Sequence, residues 1–461
     1  MGAYNLNHTE LQAFLDSKVS VATKSLIDSA LTALGTLPNP DDSNTIFTQW
    51  TSSTAPYSTE PNSLFVFTGD GTDPVVTTTG NTVLATGLNG GAIVDNGPGG
   101  DILVGGDGAV SLQVLQGHNT LYAGSGESSL YGGSGGDTLF GSWSGGSSTL
   151  SSTTGNDVLY AGDAPTTLYG GSGNDTMYGS WSGSSATLSS TTGNDVLYAG
   201  TGSTTLYGGA GNDTMYGSWT GGSATLSSTT GNDVLYAGTG STSLYAGSGH
   251  DTLWGSWSGG SATLAGGTGD AVLYAGTGPS TLYGGAGHDT LYGNFGGNGA
   301  LLAATTGNSE LIAGTGPDTL YGGAGSDTLY GGSGNDLIAG TTGNTLIFAG
   351  SGNSSIYTGV SGVDTIHDGS GHDTITLQGQ QALIYGGTGA ETIFAGFSGH
   401  SNESDTVYGG NSTVINNANA QASIVSQSVV GGVTQITFSN GQQLDSRSAT
   451  INFAGGGTIH T

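Results

Sequence analysis

From Leu64 onward the apolar residues arrive in short clusters every nine to ten residues between glycine-rich turns, and LFVF at 64–67, VLAT at 83–86 and ILV at 102–104 are every second one of them. The clusters are too short for helices, and within TLF at 138–140 or VLY at 158–160 one central apolar residue is flanked by residues of the opposite face. That is strand alternation. The spacing then becomes strict. Gly155, Gly193, Gly231, Gly269 and Gly307 are 38 residues apart, as are Trp143, Trp181, Trp219, Trp257 and Phe295. Each unit divides into 9 + 9 + 9 + 11 residues, which gives four strands and two full turns of a two-sheet coil.

The pattern predicts an all-β fold, a parallel β-roll or β-helix built as a solenoid. The inward residues are Leu139, Leu159, Met177, Leu197, Met215, Leu235 and Leu253 from one sheet, and Leu168, Leu188, Leu206 and Leu226 from the other. One coil alone buries too little to fold, so stability must come from stacking on neighbours. About 15 coils at a strand spacing of about 4.8 Å imply a rod on the order of 70 Å.

The ends read differently. Residues 1–36 form the helical segment, with Thr9 and Gln12 as a capping box and Leu26, Ile27, Ala30, Leu31 and Leu34 on one face, stopped by Gly35 and Pro38. A linker rich in Pro, Ser and Thr, carrying Asp41, Asp42 and Trp50, occupies 37–62; the roll spans 63–410. In 411–461 the glycine pattern stops, and the sequence reads as a strand hairpin around Gly431 and Gly432 that caps the last coil.

Composition changes the picture because the charges are one-sided. The 461 residues include 91 Gly, only 8% are charged, and the formal net charge is −30. The cations are Lys18, Lys24 and Arg447, so nothing between 24 and 447 opposes the acidic residues. Nucleic acid and membrane insertion are excluded as partners by this polyanion and by the lack of an 18-residue apolar run. Cysteine is absent, which removes disulfides and thiolate metal sites. The N-terminus lacks the basic start and apolar stretch of a cleavable signal peptide.

The acidic residues fall in register. Sixth in the nonapeptides GGSGGDTLF (132–140) and GGAGNDTMY (208–216) is Asp, and one edge of the coil carries Asp101, Asn119, Asp137, Asp157, Asp175, Asp195, Asp213, Asp233 and Asp251 at steps of 18 or 20 residues. Ala271 and Ser309 interrupt this ladder, and Asp289 and Asp327 resume it. The opposite edge has Ser128, Thr166, Thr204, Thr242 and Ser280 at position six and turns acidic only at Asp318 and Asp336; Asp373 follows in a later loop. Carboxylates stacked a few ångströms apart repel unless a divalent ion lies between them. Calcium suits irregular loops better than magnesium, because its larger shell accepts backbone carbonyls. Multiple calcium ions are the expected cofactor, and the metal-free chain is expected to be largely disordered.

The nonapeptide run, over about 300 residues, resembles the RTX (repeats-in-toxin, hemolysin-type calcium-binding) family. The resemblance implies calcium between successive loops of one edge, held by loop carbonyls and by Asp137, Asp157, Asp175, Asp195, Asp213, Asp233 and Asp251. It also implies a protein of a Gram-negative bacterium that leaves the cell unfolded by type I secretion, with its signal at the C-terminus, and folds in external calcium. Many such rolls follow a catalytic domain. Here no HExxH helix occurs, and the one GxSxG string, Gly132 to Gly136, lies inside a turn, so no enzyme is expected. His250, His288 and His372 are exposed turn residues.

Two aromatic rows remain. Phe140, Tyr160, Tyr178, Tyr198, Tyr216, Tyr236, Trp254, Tyr274 and Tyr292 recur one strand apart and serve either as intrasheet stacking or as a contact surface. Trp143, Trp181, Trp219 and Trp257 are expected either to fold over the coil and seal the end of the core or to form a lateral adhesive stripe. The reading that unites these features is a secreted, calcium-loaded structural protein that assembles into a homo-oligomer or polymer, as a surface-layer or filament subunit. The alternatives are an adhesin for cell-surface polysaccharide and an ice-binding module, the latter suggested by Thr-Gly-Asn-Asp turns but broken by Ser172 and Ala210.

Overall fold

A computed structural model of the chain describes residues 2–5, 8–18, 21–33, 46–50, 57–58, 64–67, 75–77, 82–86, 90–378, 381–395, 404–409, 413–416, 424–430, 433–438, 443–447, 450–453 and 458–460. The fold is a parallel β-solenoid in two compact units, Met1–Gly231 and Asn232–Thr461.

In the first unit the strands alternate between two sheets, and each pairs in parallel with the strand one coil away. Leu139 is in register with Leu159, then Met177, Leu197 and Met215. On the other sheet Leu130, Leu150, Leu168, Leu188, Leu206 and Leu226 form the matching column. All are fully buried. A one-residue slip would turn each of these columns outward, so the leucine pattern fixes the register.

The turns enforce the same register. Gly155 and Gly193 have φ of 141° and 135°, and a Cβ there would fall 1.5 and 1.6 Å from the carbonyl oxygens of Gly135 and Gly173. Only glycine fits on both counts. Outside the glycines runs an amide ladder, in which the N–H of Asn174 donates to Asn156 Oδ1 at 2.9 Å, that of Asn194 to Asn174 Oδ1 at 2.8 Å and that of Asn212 to Asn194 Oδ1 at 2.9 Å.

The N-terminal region differs from its sequence reading. The helical segment is made of two helices, His8–Lys18 and Val21–Ala33, and strand Gly2–Asn5 precedes them. Gln12 donates to Asp28 Oδ1 at 2.7 Å, which ties the helices together; the side chain of Thr9, and Leu34, Gly35, Pro38, Asp41 and Asp42, lie outside the described residues. Leu11, Leu15, Ile27, Ala30 and Leu31 pack on Val83, Ala85 and Val104. Those three flank the inward Leu84 and Leu103, so the helices cover the outer face of the first coils. Within the segment read as a linker, Ile46–Trp50 pairs in parallel with Leu64–Phe67 and antiparallel with Gly2–Asn5. The solenoid therefore begins before residue 63; five residues with strand propensity, IFTQW, suffice for pairing without glycine turns.

The second unit stacks Leu235, Leu253, Leu273, Leu291, Leu311, Leu329, Ile347, Ile366, Ile384 and Val407 in one column. Its parallel pairing continues past 410: Thr413–Asn416 pairs with Thr392–Ala395, Gln443–Arg447 with Ser404–Tyr408, and Thr450–Phe453 with Thr413–Asn416. Stacking needs the strand pattern, not the glycine loop. The hairpin is formed by Ile424–Val430 and Val433–Phe438, with Val430 opposite Val433, and Val433–Phe438 also pairs antiparallel with Gln443–Arg447.

Candidate metal centre

The position-six carboxylates line one edge and reach backward along the solenoid. In the first unit the N–H of Thr82 donates to Asp101 Oδ1, Asp101 to Asn119, Asn119 to Asp137, Asp137 to Asp157, Asp157 to Asp175, Asp175 to Asp195 and Asp195 to Asp213, all at 2.7–2.9 Å. In the second unit Asp233 donates to Asp251 at 2.8 Å, Ala271 to Asp289 at 2.9 Å and Ser309 to Asp327 at 2.8 Å. Ala271 and Ser309 keep the backbone ladder and supply no carboxylate. Every aspartate in these two series is buried.

Oδ1 is thus occupied, and at several of these residues Oδ2 is not. The Oδ2 atoms of Asp137, Asp157, Asp195, Asp251, Asp289 and Asp327 are shut off from solvent and accept no hydrogen bond. They face the first residue of their own loop, since a Cβ on Gly132, Gly170, Gly208 or Gly284 would lie 2.4–2.9 Å from Oδ2 of Asp137, Asp175, Asp213 or Asp289. Burial pushes Asp137, Asp251 and Asp327 up to about 6, and Asp175, with further repulsion from Asp157 and Asp195, up to about 7. Burial likewise raises Asp157, Asp195 and Asp289. A buried anionic oxygen without a donor costs several kcal/mol by order of magnitude, and a cation removes that cost. No three His, Asp or Glu side chains among the described residues form a ready-made metal cage. The donors on offer are one or two carboxylate oxygens together with glycine carbonyls, a hard oxygen set that fits calcium.

The gaps between loops are not all alike. The hydroxyls of Thr153 and Thr191 donate to the carbonyls of Gly133 and Gly171, and Ser190 approaches Asp175 Oδ2 at 3.5 Å. Loops that open on Gly170-Gly171 or Gly208-Gly209 carry no such hydroxyl at those positions. Sequence reading treated these gaps as equivalent, because the closing Thr is visible as a partner only once the coils are stacked.

The opposite edge solves the same problem without charge. Thr166, Thr204 and Thr242 donate from Oγ1 to the carbonyls of Ala161, Ala199 and Ala237 at 2.6–2.7 Å, and Ser128 and Ser280 do the same to Ala123 and Ala275. A hydroxyl supplies the proton that a carboxylate lacks. Of the later acids on this edge, Asp336 and Asp373 have a bare buried Oδ2, and burial with repulsion from Asp318 and Asp373 pushes Asp336 up to about 7. Asp318 differs: its Oδ1 accepts from Ala300 N–H and its Oδ2 from Gly314 N–H, both at 2.6 Å. Backbone donors already satisfy it, so of the thirteen sequence-predicted ligands it has the least need of a metal. Asp364, which the sequence reading did not single out, is satisfied in the same way by Thr345 and Gly359.

The aromatic rows also resolve. Tyr122, Phe140, Tyr160, Tyr178, Tyr198 and Tyr216 stack with centroids 4.7–4.9 Å apart and planes within 5°. Trp143, Trp181, Trp219 and Trp257 do not seal the core; they are 47–58% exposed, and the corner is filled by the fully buried Ser142, Ser180, Ser218 and Ser256 beside them. Serine fits because it is small and bonds within the turn, as Ser218 Oγ does in accepting from Gly222 N–H at 3.1 Å. A row the sequence reading missed is Tyr131, Tyr169 and Tyr207 on the second sheet, 41–47% exposed and separated by Ser151 and Ser189. Alternation with serine hid it.

The family model for the RTX calcium-binding nonapeptide repeat matches residues 95–182, 189–257, 265–299 and 304–379 in overlapping copies. These matches cover more than half of the chain, which belongs to that family, and its repeats are calcium-binding repeats. No curated protein matches the chain.

Proposed function

We propose that the protein is secreted, folds when it meets external calcium, and acts as a structural subunit that self-assembles at the cell surface or in an extracellular filament. Asp101, Asp137, Asp157, Asp175, Asp195, Asp213, Asp233, Asp251, Asp289, Asp327, Asp336 and Asp373 serve as calcium ligands in this reading. The observation that carries it is the ladder of buried Oδ2 atoms without donors, in a stretch without a single Lys or Arg. Such a fold is conditional on a divalent cation, which suits a chain exported unfolded and ordered outside.

Assembly is supported by regular exposed rows, the alternate-strand tyrosines and the tryptophans at every second turn. Electron microscopy of purified protein with and without calcium tests it: calcium-dependent ordered assemblies are expected, and soluble monomers under both conditions reject it. A second reading, attachment to a surface polysaccharide, is favoured by a groove of about 580 Å³ whose lining includes Ser129, Thr149, Thr167, Thr187 and Glu127. Glycan binding lost on replacing Glu127 and Thr167, which line the groove, would select it.

A further inference from the structure

On the second sheet of the first unit, neighbouring hydroxyls are used differently. Those that point inward are spent on their own turns: Ser128 and Thr166 donate to the carbonyls of Ala123 and Ala161, and Ser148 Oγ accepts from Ser142 N–H at 3.0 Å. One residue further along each strand, Ser129, Thr149, Thr167 and Thr187 stand in register on the outward face, half-buried. Among the described residues, none of these four hydroxyls has a hydrogen-bond partner. They belong to the lining of the groove of about 580 Å³, which crosses five successive strands from Val110 to Ala186. The groove therefore follows the solenoid axis for about 19 Å.

The exposed tryptophans belong to the same edge. Ser147 and Ser185, which line the groove, end the turns that carry Trp143 and Trp181, and Trp219 continues the row one repeat further. Those turns are held in place. Asp163 N–H donates to the Ser142 carbonyl and Thr201 N–H to the Ser180 carbonyl, both at 2.8 Å, and Ser182 Oγ donates to the Asp163 carbonyl at 2.9 Å. An indole on a fixed turn loses little freedom when a ligand lands on it. Two coils, or about 9.6 Å, separate successive tryptophans. That is close to the two-sugar repeat of an extended β-1,4-linked hexose chain, in which every second ring turns the same face outward. Indole packs on the apolar C–H face of a sugar ring, and unspent Ser and Thr hydroxyls bond the hydroxyls at its edge. Charge narrows the choice. The groove carries Glu127, and no Lys or Arg from 25 to 446 is present to hold a carboxylate or sulfate, so an acidic glycan is repelled and a neutral one is not.

We propose that the groove and the tryptophan row together bind a neutral, extended β-1,4-linked polysaccharide of the cellulose or chitin class. The chain lies along the solenoid axis, with every second sugar on an indole and its hydroxyl edge toward Ser129, Thr149, Thr167 and Thr187. The inference rests on the polysaccharide reading above and deepens it by naming the linkage and the charge of the ligand.

The test uses the full chain in saturating calcium and reads binding by isothermal titration and tryptophan fluorescence. Cellohexaose and chitohexaose are the probes; maltohexaose, with its α-1,4 linkage, and a β-1,4-linked mannuronate hexamer, with its charge, are the controls. One or both probes should bind and shift the tryptophan emission, and neither control should. Trp181→Ala should weaken binding about 10-fold or more and Thr167→Val about 5-fold, with the circular dichroism signal in calcium retained; Trp143→Ala covers a folding failure of the first. No binding of either probe, equal binding of a control, or unchanged affinity in the variants overturns the proposal. A different glycan held in the groove, lost in Thr167→Val but not in Trp181→Ala, also overturns it and leaves the polysaccharide reading standing.

Discussion

Asp195 shows the logic of the ladder at a single residue. Its Oδ1 accepts from Asp175 N–H at 2.7 Å, and its buried Oδ2 accepts nothing. Asp195→Asn keeps the first contact and turns the second atom into a donor. We expect fewer bound calcium ions by direct count, and a metal-free protein with more residual β structure by circular dichroism than the wild type. Titration makes the same point. In the metal-free fold the ladder carboxylates are raised above their ordinary value of 3.8, Asp137 to about 6 and Asp175 to about 7. The folded state therefore binds protons more tightly than the unfolded one. Its stability is greatest at acid pH and is lost as pH rises through 6 to 7. A metal-free chain that gains β signal by circular dichroism as pH falls from 7 to 5 is the expected result. Calcium binding should weaken over the same interval, because protons compete for the same oxygens.

At the scale of the turn, the two edges use different chemistry at one position. Thr166 closes its turn with hydrogen bonds to Ala161 O at 2.6 Å and Ala164 O at 2.8 Å, and no charge is involved. Thr166→Ala leaves two buried carbonyls short of a donor and should cost about 1–3 kcal/mol at saturating calcium, by thermal or denaturant unfolding, without changing the calcium count. This contrast was partly legible in the chain. Asp at every sixth position announced ligands, and Ser or Thr at the same position announced their absence. What stayed hidden depends on contacts between coils: that Asp318 is satisfied by Gly314 and Ala300, and that Thr153 and Thr191 close alternate gaps. The tryptophans were misread because a large apolar residue in a turn suggests burial, whereas the buried residue is the small serine before it. The strand Ile46–Trp50 was missed because Pro and Ser around it resemble a linker, and pairing with Leu64–Phe67 is a long-range fact.

For the whole molecule, repeat stacking and metal are two halves of one stability. The leucine columns fix the register in each unit, yet most ladder loops place a carboxylate in a dry corner, and the sequence supplies no Lys or Arg from 25 to 446 to offset it. Folding and calcium binding should then be one equilibrium, with stability rising as free calcium rises above the dissociation constants of the sites. Far-UV circular dichroism of the full chain during titration with a calcium chelator tests this directly. The account predicts loss of the β signal on chelation and its return on adding calcium back, in step with the counted ions. A spectrum and melting temperature unchanged by complete calcium removal would contradict it.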